Sequence, residues 1–387
     1  MRYFTAGESH GRGISVIAYG FPSNIPVDVE YINNELSRRQ KGYGRGDRMR
    51  IERDSVDVIG GVRNGKTIGG PISMVIWNKD WDNWKDKKVA KVTKPRPGHA
   101  DLTGVLKYGF DDIRDVLERA SARETTARVA VGAIAKYVLE MFFDVKIFSH
   151  VLVFGGIKID LKGLTYRQII ENSRISEVSI GNLEFENEVK NYIDKIRSQG
   201  DTLGGVIEVV VLNPPVGLGS YVHWEDKIDA RISYAVMSIQ AIKGVEFGMG
   251  FGLGYMKGSE VHDEILWNGS RFLRISNNAG GIEGGMTNGE PIVLRCVMKP
   301  ISTLMKPKRS VDIVTKEEFL AHVERSDVTA VPAAGVVVES VVAIEILSAL
   351  LKRYGGDDIN LVKKFFESDG IQMNRTGLGI IDKVYSE

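Results

Sequence analysis

The sequence predicts an α+β fold: one domain spanning residues 1–387, of mixed helices and antiparallel hairpins. Three observations carry this reading. Short apolar or alternating runs edged by Gly, Asn or Pro fill the first third, the pattern of hairpin strands. Two longer stretches, 111–143 and 335–353, carry helical periodicity instead. No composition shift or Pro/Ser-rich linker divides the chain, and its length allows one large core without disulfide staples.

In chain order, strands are expected at ISVIAYG (14–20), SVDVIGGV (55–62) and GPISMVIWN (70–78). A helix over 28–40 is bounded by Asp28 and by the glycines at 42 and 44. Residues 80–98, with Trp81, Trp84, a Lys run and two prolines, read as a long surface loop, and such loops are often functional. From Asp111 and Asp112, candidate N-caps, one continuous helix is expected to about Phe143. Its many small residues, among them Ala120, Ser121, Ala127, Gly132 and Ala133, suit close packing inside the fold. Strands return at 145–155 and 206–213, with a charged, peripheral helical region at 164–198 between them. A last apolar helix, 335–353, ends in Lys352 and Arg353 with Gly355 as its stop.

Lys and Arg total 51 against 50 Asp and Glu, a net charge of +1, so any anion site must be a local concentration of charge. The lone Cys296 sits in the apolar run PIVLRCV, forms no internal disulfide, and suits a reducing, cytoplasmic setting. The opening residues lack the apolar core of a secretory signal. Lys136, Glu140, Glu339 and Glu345 interrupt the most apolar stretches, which argues against a membrane protein.

GGVRNGKT, Gly60–Thr67, matches a phosphate-binding loop in letters, but Ile68, Gly69, Gly70 and Pro71 follow where a helix must start. Asn64-Gly65 between apolar runs is a two-residue hairpin turn. No GxGxxG follows a strand, and no His/Cys/Asp spacing suggests a metal site. The densest charge lies at 38–54, where Arg38, Arg39, Lys41, Arg45, Arg48, Arg50 and Arg53 face Asp47, Glu52 and Asp54. Arginine predominates, as in bidentate grips on carboxylate and phosphate, and only Tyr43 interleaves, too few aromatics to stack a nucleic-acid strand. A small, multiply anionic ligand fits better than an RNA. Arg119 and Arg123, four apart on the expected helix, share a face, which suits either ordinary salt bridges with Glu118 and Glu124 or an anion between them. His10 in GESHGRG and His99 in RPGHAD have Gly beside them and Arg within three residues, and suit acid–base work. The loops at 277–289, 299–307 and 324–335 add Gly-rich backbone with Lys299, Ser302, Thr303 and Arg325, able to cradle a phosphate or a planar ring.

Taken together, GESHG, RRQKGYGRGDRM, RPGHADL, ERASARETTARVAVGAIAK, GDTLGGVIEVVV, SIQAIKGVEFGMGF, NNAGGIEGGMTNG, KPISTL and RSDVTAVPAAGVVVE resemble the chorismate synthase family nearly end to end. That resemblance implies a β-α-β sandwich of antiparallel sheets enclosing helices, assembled as a homotetramer. It implies a carbon–oxygen lyase of the shikimate pathway, which eliminates phosphate from 5-enolpyruvylshikimate 3-phosphate to give chorismate. The cofactor it implies is reduced FMN, used without net redox change and obtained here from an external reductase or reductant.

By resemblance the substrate site is Ser9, Arg39, Arg45, Arg48, Arg96, Ser121 and Arg123. His10 stands at the departing phosphate, His99 at the reduced flavin, and Asp327 where the ring proton leaves. FMN falls to Arg119, Ala120, Ser121, Gln240, Ala241, Gly284 or Gly285, Lys299, Pro300, Ile301, Ser302, Thr303 and Arg325. In much of the family Ser is expected where this chain has Ala120. Two competing classes are a flavin oxidoreductase on a phosphorylated carboxylate, which would consume reduced flavin with product, and an RNA-binding protein using the Arg-rich loop, whose binding would be strongly salt-dependent.

Overall fold

The computed structural model describes residues 1–45, 54–87, 89–321 and 327–385. A four-stranded antiparallel sheet takes in β1 (Arg2–Ala6), β2 (Gly13–Tyr19), β3 (Val56–Gly60) and β6 (Ile72–Trp77), ordered β1-β2-β6-β3. The alternation of Ile14, Val16 and Ala18, all buried, with exposed Ile17 and Tyr19 gives β2 one core face. Between β3 and β6, the two-residue strands β4 (Val62–Arg63) and β5 (Lys66–Thr67) pair across Asn64 and Gly65, at φ 50° and 73°. Both values are left-handed, as a type I′ hairpin requires, so the string that resembled a phosphate loop is a turn.

A second antiparallel sheet is ordered β10 (Ile242–Phe247), β15 (Ile292–Met298), β9 (Gly205–Leu212), β7 (Lys146–Phe154) and β8 (Ile157–Lys158). Cys296 is buried on β15, and burial pushes its thiol up to about 12. Small hairpins add β11 (Ile265–Trp267) with β12 (Phe272–Arg274), and β13 (Ile282–Glu283) with β14 (Met286–Thr287).

The helices are α1 (Val29–Gln40), α2 (Asp101–Tyr108), α3 (Arg114–Ala120), α4 (Thr125–Phe143), α5 (Tyr166–Ile175), α6 (Glu186–Ser198), α7 (Ile228–Met237), α8 (Val331–Tyr354) and α9 (Ile359–Ser368). Asp28 caps α1 by accepting from the Tyr31 amide. The expected continuous helix over 111–143 is two helices. Ser121 stands extended at φ −61°, ψ 140°, and its hydroxyl accepts from the Arg123 amide to open a short turn before α4. The peripheral region at 164–198 resolves into α5 and α6, and α8 begins earlier than expected because Pro332 serves in its first turn.

Helix α4 packs on β2 and β6, α8 packs on β7 and β9, and the two helices lie against each other with α1 beside both. Gly132 makes the α4–α8 approach possible: a Cβ there would stand 2.3 Å from the Ser340 Cβ. Length and composition alone would let α8 cross a bilayer, but most of it is buried in the protein.

Two of the four charges that interrupt the apolar helices, Lys136 and Glu339, meet in the core. Arg38 on α1 donates to Glu35 at 2.9 Å and to Glu339 on α8 at 2.8 Å. Lys136 on α4 reaches Glu35 at 2.8 Å and Glu339 at 2.5 Å, and the Ser149 amide and hydroxyl on β7 donate to Glu339 as well. Burial alone would raise the Glu339 carboxyl, yet the Arg38 guanidinium and Lys136 ammonium outweigh it and hold the group well below the usual carboxylate range. Glu339→Gln removes one charge from a buried, balanced set and should cost about 3–5 kcal/mol. Urea denaturation checks this, and a loss within about 0.5 kcal/mol, the effect of an ordinary surface change, would show that the network does not hold the helices together.

Candidate active site

Arg38 and Arg39 are neighbours in the last turn of α1, about 100° apart around its axis. Arg38 enters the ionic core, while Arg39 points the other way, nearly buried, and donates to the Thr125 hydroxyl at 2.8 Å and the Ala122 carbonyl at 2.9 Å. Asp54 lies 3.5 Å from Arg39 and 3.7 Å from Arg123. Burial lowers the Arg39 guanidinium to about 10, with Asp54 opposing and Arg45 and Arg123 adding to the fall. Three guanidiniums therefore sense one another in a largely desolvated place. Arg45 in turn pairs with Asp327 at 3.2 Å.

The loop between β1 and β2 adds Ser9 and His10. The Ser9 amide donates to the Glu118 carbonyl at 3.0 Å, and the Ser121 hydroxyl meets the Ser9 hydroxyl at 3.1 Å. This contact joins the GESHG loop to the segment that carries Arg123. The His10 amide and Nδ1 both meet the Glu118 carboxylate, at 2.7 and 2.8 Å, and the Trp84 ring lies 4.0 Å from the His10 ring. Bonds from His10 hold the Glu118 carboxyl below its usual range against the opposing effect of burial.

A second group surrounds His99. Its Nε2 lies 3.3 Å from the Thr303 hydroxyl, and burial first, then Arg96, lowers the imidazole below its ordinary value. Lys299 and Ser302 both donate to the Gly98 carbonyl, at 2.6 and 3.1 Å. Burial and nearby Lys243 lower the Lys299 ammonium. The Thr202 hydroxyl donates to the Ile301 carbonyl at 2.6 Å, pinning the segment that also contains Pro300. The Lys299 amide donates to the Ala241 carbonyl at 3.0 Å, which brings in Gln240. Gln240 reaches Glu124 at 3.5 Å, and Glu124 binds Thr5 and Arg128. Arg119 donates to Thr5 at 2.7 and 2.8 Å, with Ala120 beside it closing α3.

The structure thus gathers Ser9, His10, Arg39, Ser121 and Arg123 into one chain of contacts through Glu118 and Asp54, with the Arg45–Asp327 pair near enough for Arg45 to act electrostatically on Arg39. His99 and the 299–303 segment form another, linked through Ala241, Gln240 and Glu124 to Arg119. Two expectations fare differently. With the helix broken at Ser121, Arg119 turns to β1 and Arg123 to Asp54, so the shared face is not there. Arg96 gives its guanidinium to Asp101, at 2.9 and 3.1 Å. Gly284 and Gly285 form the turn between β13 and β14, where the Gly285 carbonyl accepts from the Ile228 amide at 2.9 Å and a Cβ at Gly285 would meet Lys227. Arg48 and Arg325 lie outside the described residues. Glu118, Trp84, Asp54 and Glu124 were not singled out in the sequence. Only Glu124 had a local signal there, since Ser121-Ala-Arg-Glu124 fits the S-x-x-E start of a helix.

A family model described as chorismate synthase matches residues 1–351. The chain belongs to the chorismate synthase family. Chorismate synthase of Streptococcus thermophilus is 55% identical over 377 residues, 94% of this chain and 97% of that one. The enzyme of Streptococcus mutans serotype c is 54% identical over 381 residues, covering 95% and 98%. A crystal structure of a chorismate synthase superposes with a TM-score of 0.80 at 43% identity, covering 96% of this chain and 98% of its own. The chain is a phosphate-eliminating lyase of the shikimate pathway, which makes chorismate from 5-enolpyruvylshikimate 3-phosphate. Neither the flavin oxidoreductase nor the RNA-binding reading is favoured, and Arg39, the most buried of the described arginines of the basic segment, is out of reach of a polyanion on the surface.

Gly98 is the tight point of the second group. It has φ +78°, and a Cβ there would lie 2.7 Å from the Ser302 hydroxyl. Gly98→Ala should cost about 1–3 kcal/mol of local strain and speed amide exchange at Ile301–Thr303, as hydrogen-exchange mass spectrometry reads. Unchanged protection would mean that the 299–303 segment does not depend on this approach.

Proposed function

We propose that Arg39, Arg45 and Arg123, with Arg48 and Arg96 and the hydroxyls of Ser9 and Ser121, bind the phosphate and two carboxylates of 5-enolpyruvylshikimate 3-phosphate. One observation carries this: the buried arginines and the Ser9–His10 loop meet through the 3.1 Å Ser9–Ser121 contact. Desolvated guanidiniums close together repel unless anions lie among them, and a ligand with three anionic groups spread over a small ring suits that arrangement.

The reaction removes a ring proton and a phosphate. Asp327, beside Arg45, takes the ring proton, and His10 gives a proton to the departing phosphate oxygen, so charge does not accumulate on the leaving group. Ser9 and Ser121 orient the phosphate, and burial at Arg39 keeps water from competing for it.

The residues of the second group fit a flavin phosphate and ring. Among the described residues the Gln240 Oε1 is buried without a hydrogen-bond partner, an acceptor that a donor on a bound group would satisfy. Lys299, Ser302 and Thr303 are held at the end of β15 beside it. Arg119, Ala120, Ser121, Gln240, Ala241, Lys299 to Thr303 and Arg325 would hold reduced FMN, and His99 would hold or move a proton at its Nε2 beside it. The chemistry that reduced FMN would supply there is transient electron donation to the breaking carbon–oxygen bond without net redox change. The enzyme would assemble as a homotetramer, and Gly284 or Gly285 would add a backbone contact to the flavin. The two sheets with α4 and α8 between them form the β-α-β sandwich. We place the enzyme in the cytoplasm, supplied with reduced flavin by an external reductant.

Anaerobic protein with dithionite-reduced FMN and substrate should release phosphate through many turnovers per flavin, and oxidised flavin should support none. Product that stops at one equivalent per flavin would refute the non-consuming role of the cofactor. His10→Ala and Asp327→Ala should each lower kcat by about two to four orders of magnitude while flavin affinity is kept. Arg45→Ala should weaken substrate binding more than flavin binding, as calorimetry would show. Wild-type turnover in the first two variants, or equal loss of both affinities in the third, contradicts the roles assigned.

A further inference from the structure

His10 is held from two sides by residues that come from distant parts of the chain. Glu118, in the last turn of α3, accepts from the His10 backbone amide at 2.7 Å and meets the ring Nδ1 at 2.8 Å. Because one carboxylate engages both the backbone and the ring of one residue, it fixes the loop and the ring orientation together. The ring nitrogen that faces a carboxylate carries the proton, so Nδ1–H is the one engaged and Nε2 is the nitrogen on the far edge. Trp84 closes the other side, its ring centroid 4.0 Å from that of His10 and its indole nitrogen anchored on Asp80 at 2.8 Å. The loop around Trp84 thereby covers the histidine.

Other charges flank this arrangement. On its own helix Glu118 has Arg114, 3.9 Å away. From the covering loop, Lys87 lies 4.5 Å from the Trp84 ring centroid. Of these charged groups, Glu118 is the one within hydrogen-bond distance of the His10 ring.

We infer that Glu118 is the positioning residue of His10: it sets the Nδ1–H tautomer, aims Nε2 at the departing phosphate, and offsets the positive charge of the imidazolium. Glu118 itself makes and breaks no covalent bond; the Nε2–H bond of His10 breaks as the O–H bond on the phosphate forms. The proton leaving Nε2 goes to the phosphate oxygen, and the Nδ1 proton stays on its hydrogen bond to Glu118. The inference rests on the reading of His10 as the proton donor, and the test separates the two.

The test is a double-mutant cycle on the FMN-loaded enzyme, with kcat and KM measured anaerobically for wild type, Glu118→Gln, His10→Ala and the double variant. Glu118→Gln keeps size and removes charge. It should lower kcat on the order of tenfold to a hundredfold, a part of what an acid–base group contributes, with KM and flavin affinity unchanged. In the His10→Ala background it should lower kcat no further. Glu118→Asp, which keeps the charge, should recover part of the loss.

An equal fall in both backgrounds would show that Glu118 acts independently of His10 and would overturn the inference, as would wild-type kcat in Glu118→Gln with His10→Ala still slow. Wild-type kcat in His10→Ala would remove the proton donor itself, and the inference with it. Should Glu118→Gln fold poorly, seen as lost flavin binding, Glu118→Asp takes its place in the cycle with His10→Ala. A kcat loss confined to the His10 background then supports the inference, and an equal loss in both overturns it.

Discussion

The constraint on which the site depends is the crowding of guanidiniums in a place with little water. Arg39 is nearly buried, Arg45 and Arg123 both push its proton off, and Asp54 opposes them. Like charges repel strongly where solvent screening is weak. Such a cluster persists only because the fold holds its members from several directions, and a multiply anionic ligand relieves it. On the proposed assignment, the charges that would hold the substrate's phosphate would also favour its departure as an anion.

The ionic core explains how α1 can present Arg39 at all. Arg38, one position earlier, is fixed by Glu35 and Glu339 between α4 and α8. The last turn of α1 is thus anchored to both buried helices, and the rotation that turns Arg38 inward turns Arg39 toward Thr125 and Asp54. The close approach at Gly132 and Ser340 sets the spacing of the helices on which this depends. Removing a charge from the core therefore disturbs the substrate site indirectly.

Much of this was legible in sequence, for local reasons. The strands of the first sheet followed from alternation and turn residues, and Asn64-Gly65 correctly outweighed the phosphate-loop string. The order of unusual motifs pointed to the family, which the comparisons show. What escaped was non-local. Lys136 and Glu339 read as interruptions in apolar helices, because nothing local tells that residues 203 positions apart form an ion pair. Glu118 read as a helix-surface charge, although its partner is His10, 108 residues earlier. The break at Ser121 did leave a mark, the S-x-x-E start, which the strong small-residue pattern of a continuous helix obscured.

The claim that the arginine cluster is built for a multiply anionic ligand is tested most directly by thermal unfolding of the flavin-free protein with and without 5-enolpyruvylshikimate 3-phosphate, with inorganic phosphate as the comparison at matched ionic strength. Ligand that binds only the folded state at about a hundred times its Kd adds about 2.7 kcal/mol. The account predicts a rise in Tm of several degrees with the substrate, a smaller rise with phosphate at the same concentration, and the loss of both in Arg45→Ala. No rise at saturating substrate, or equal rises for substrate and phosphate, would contradict it.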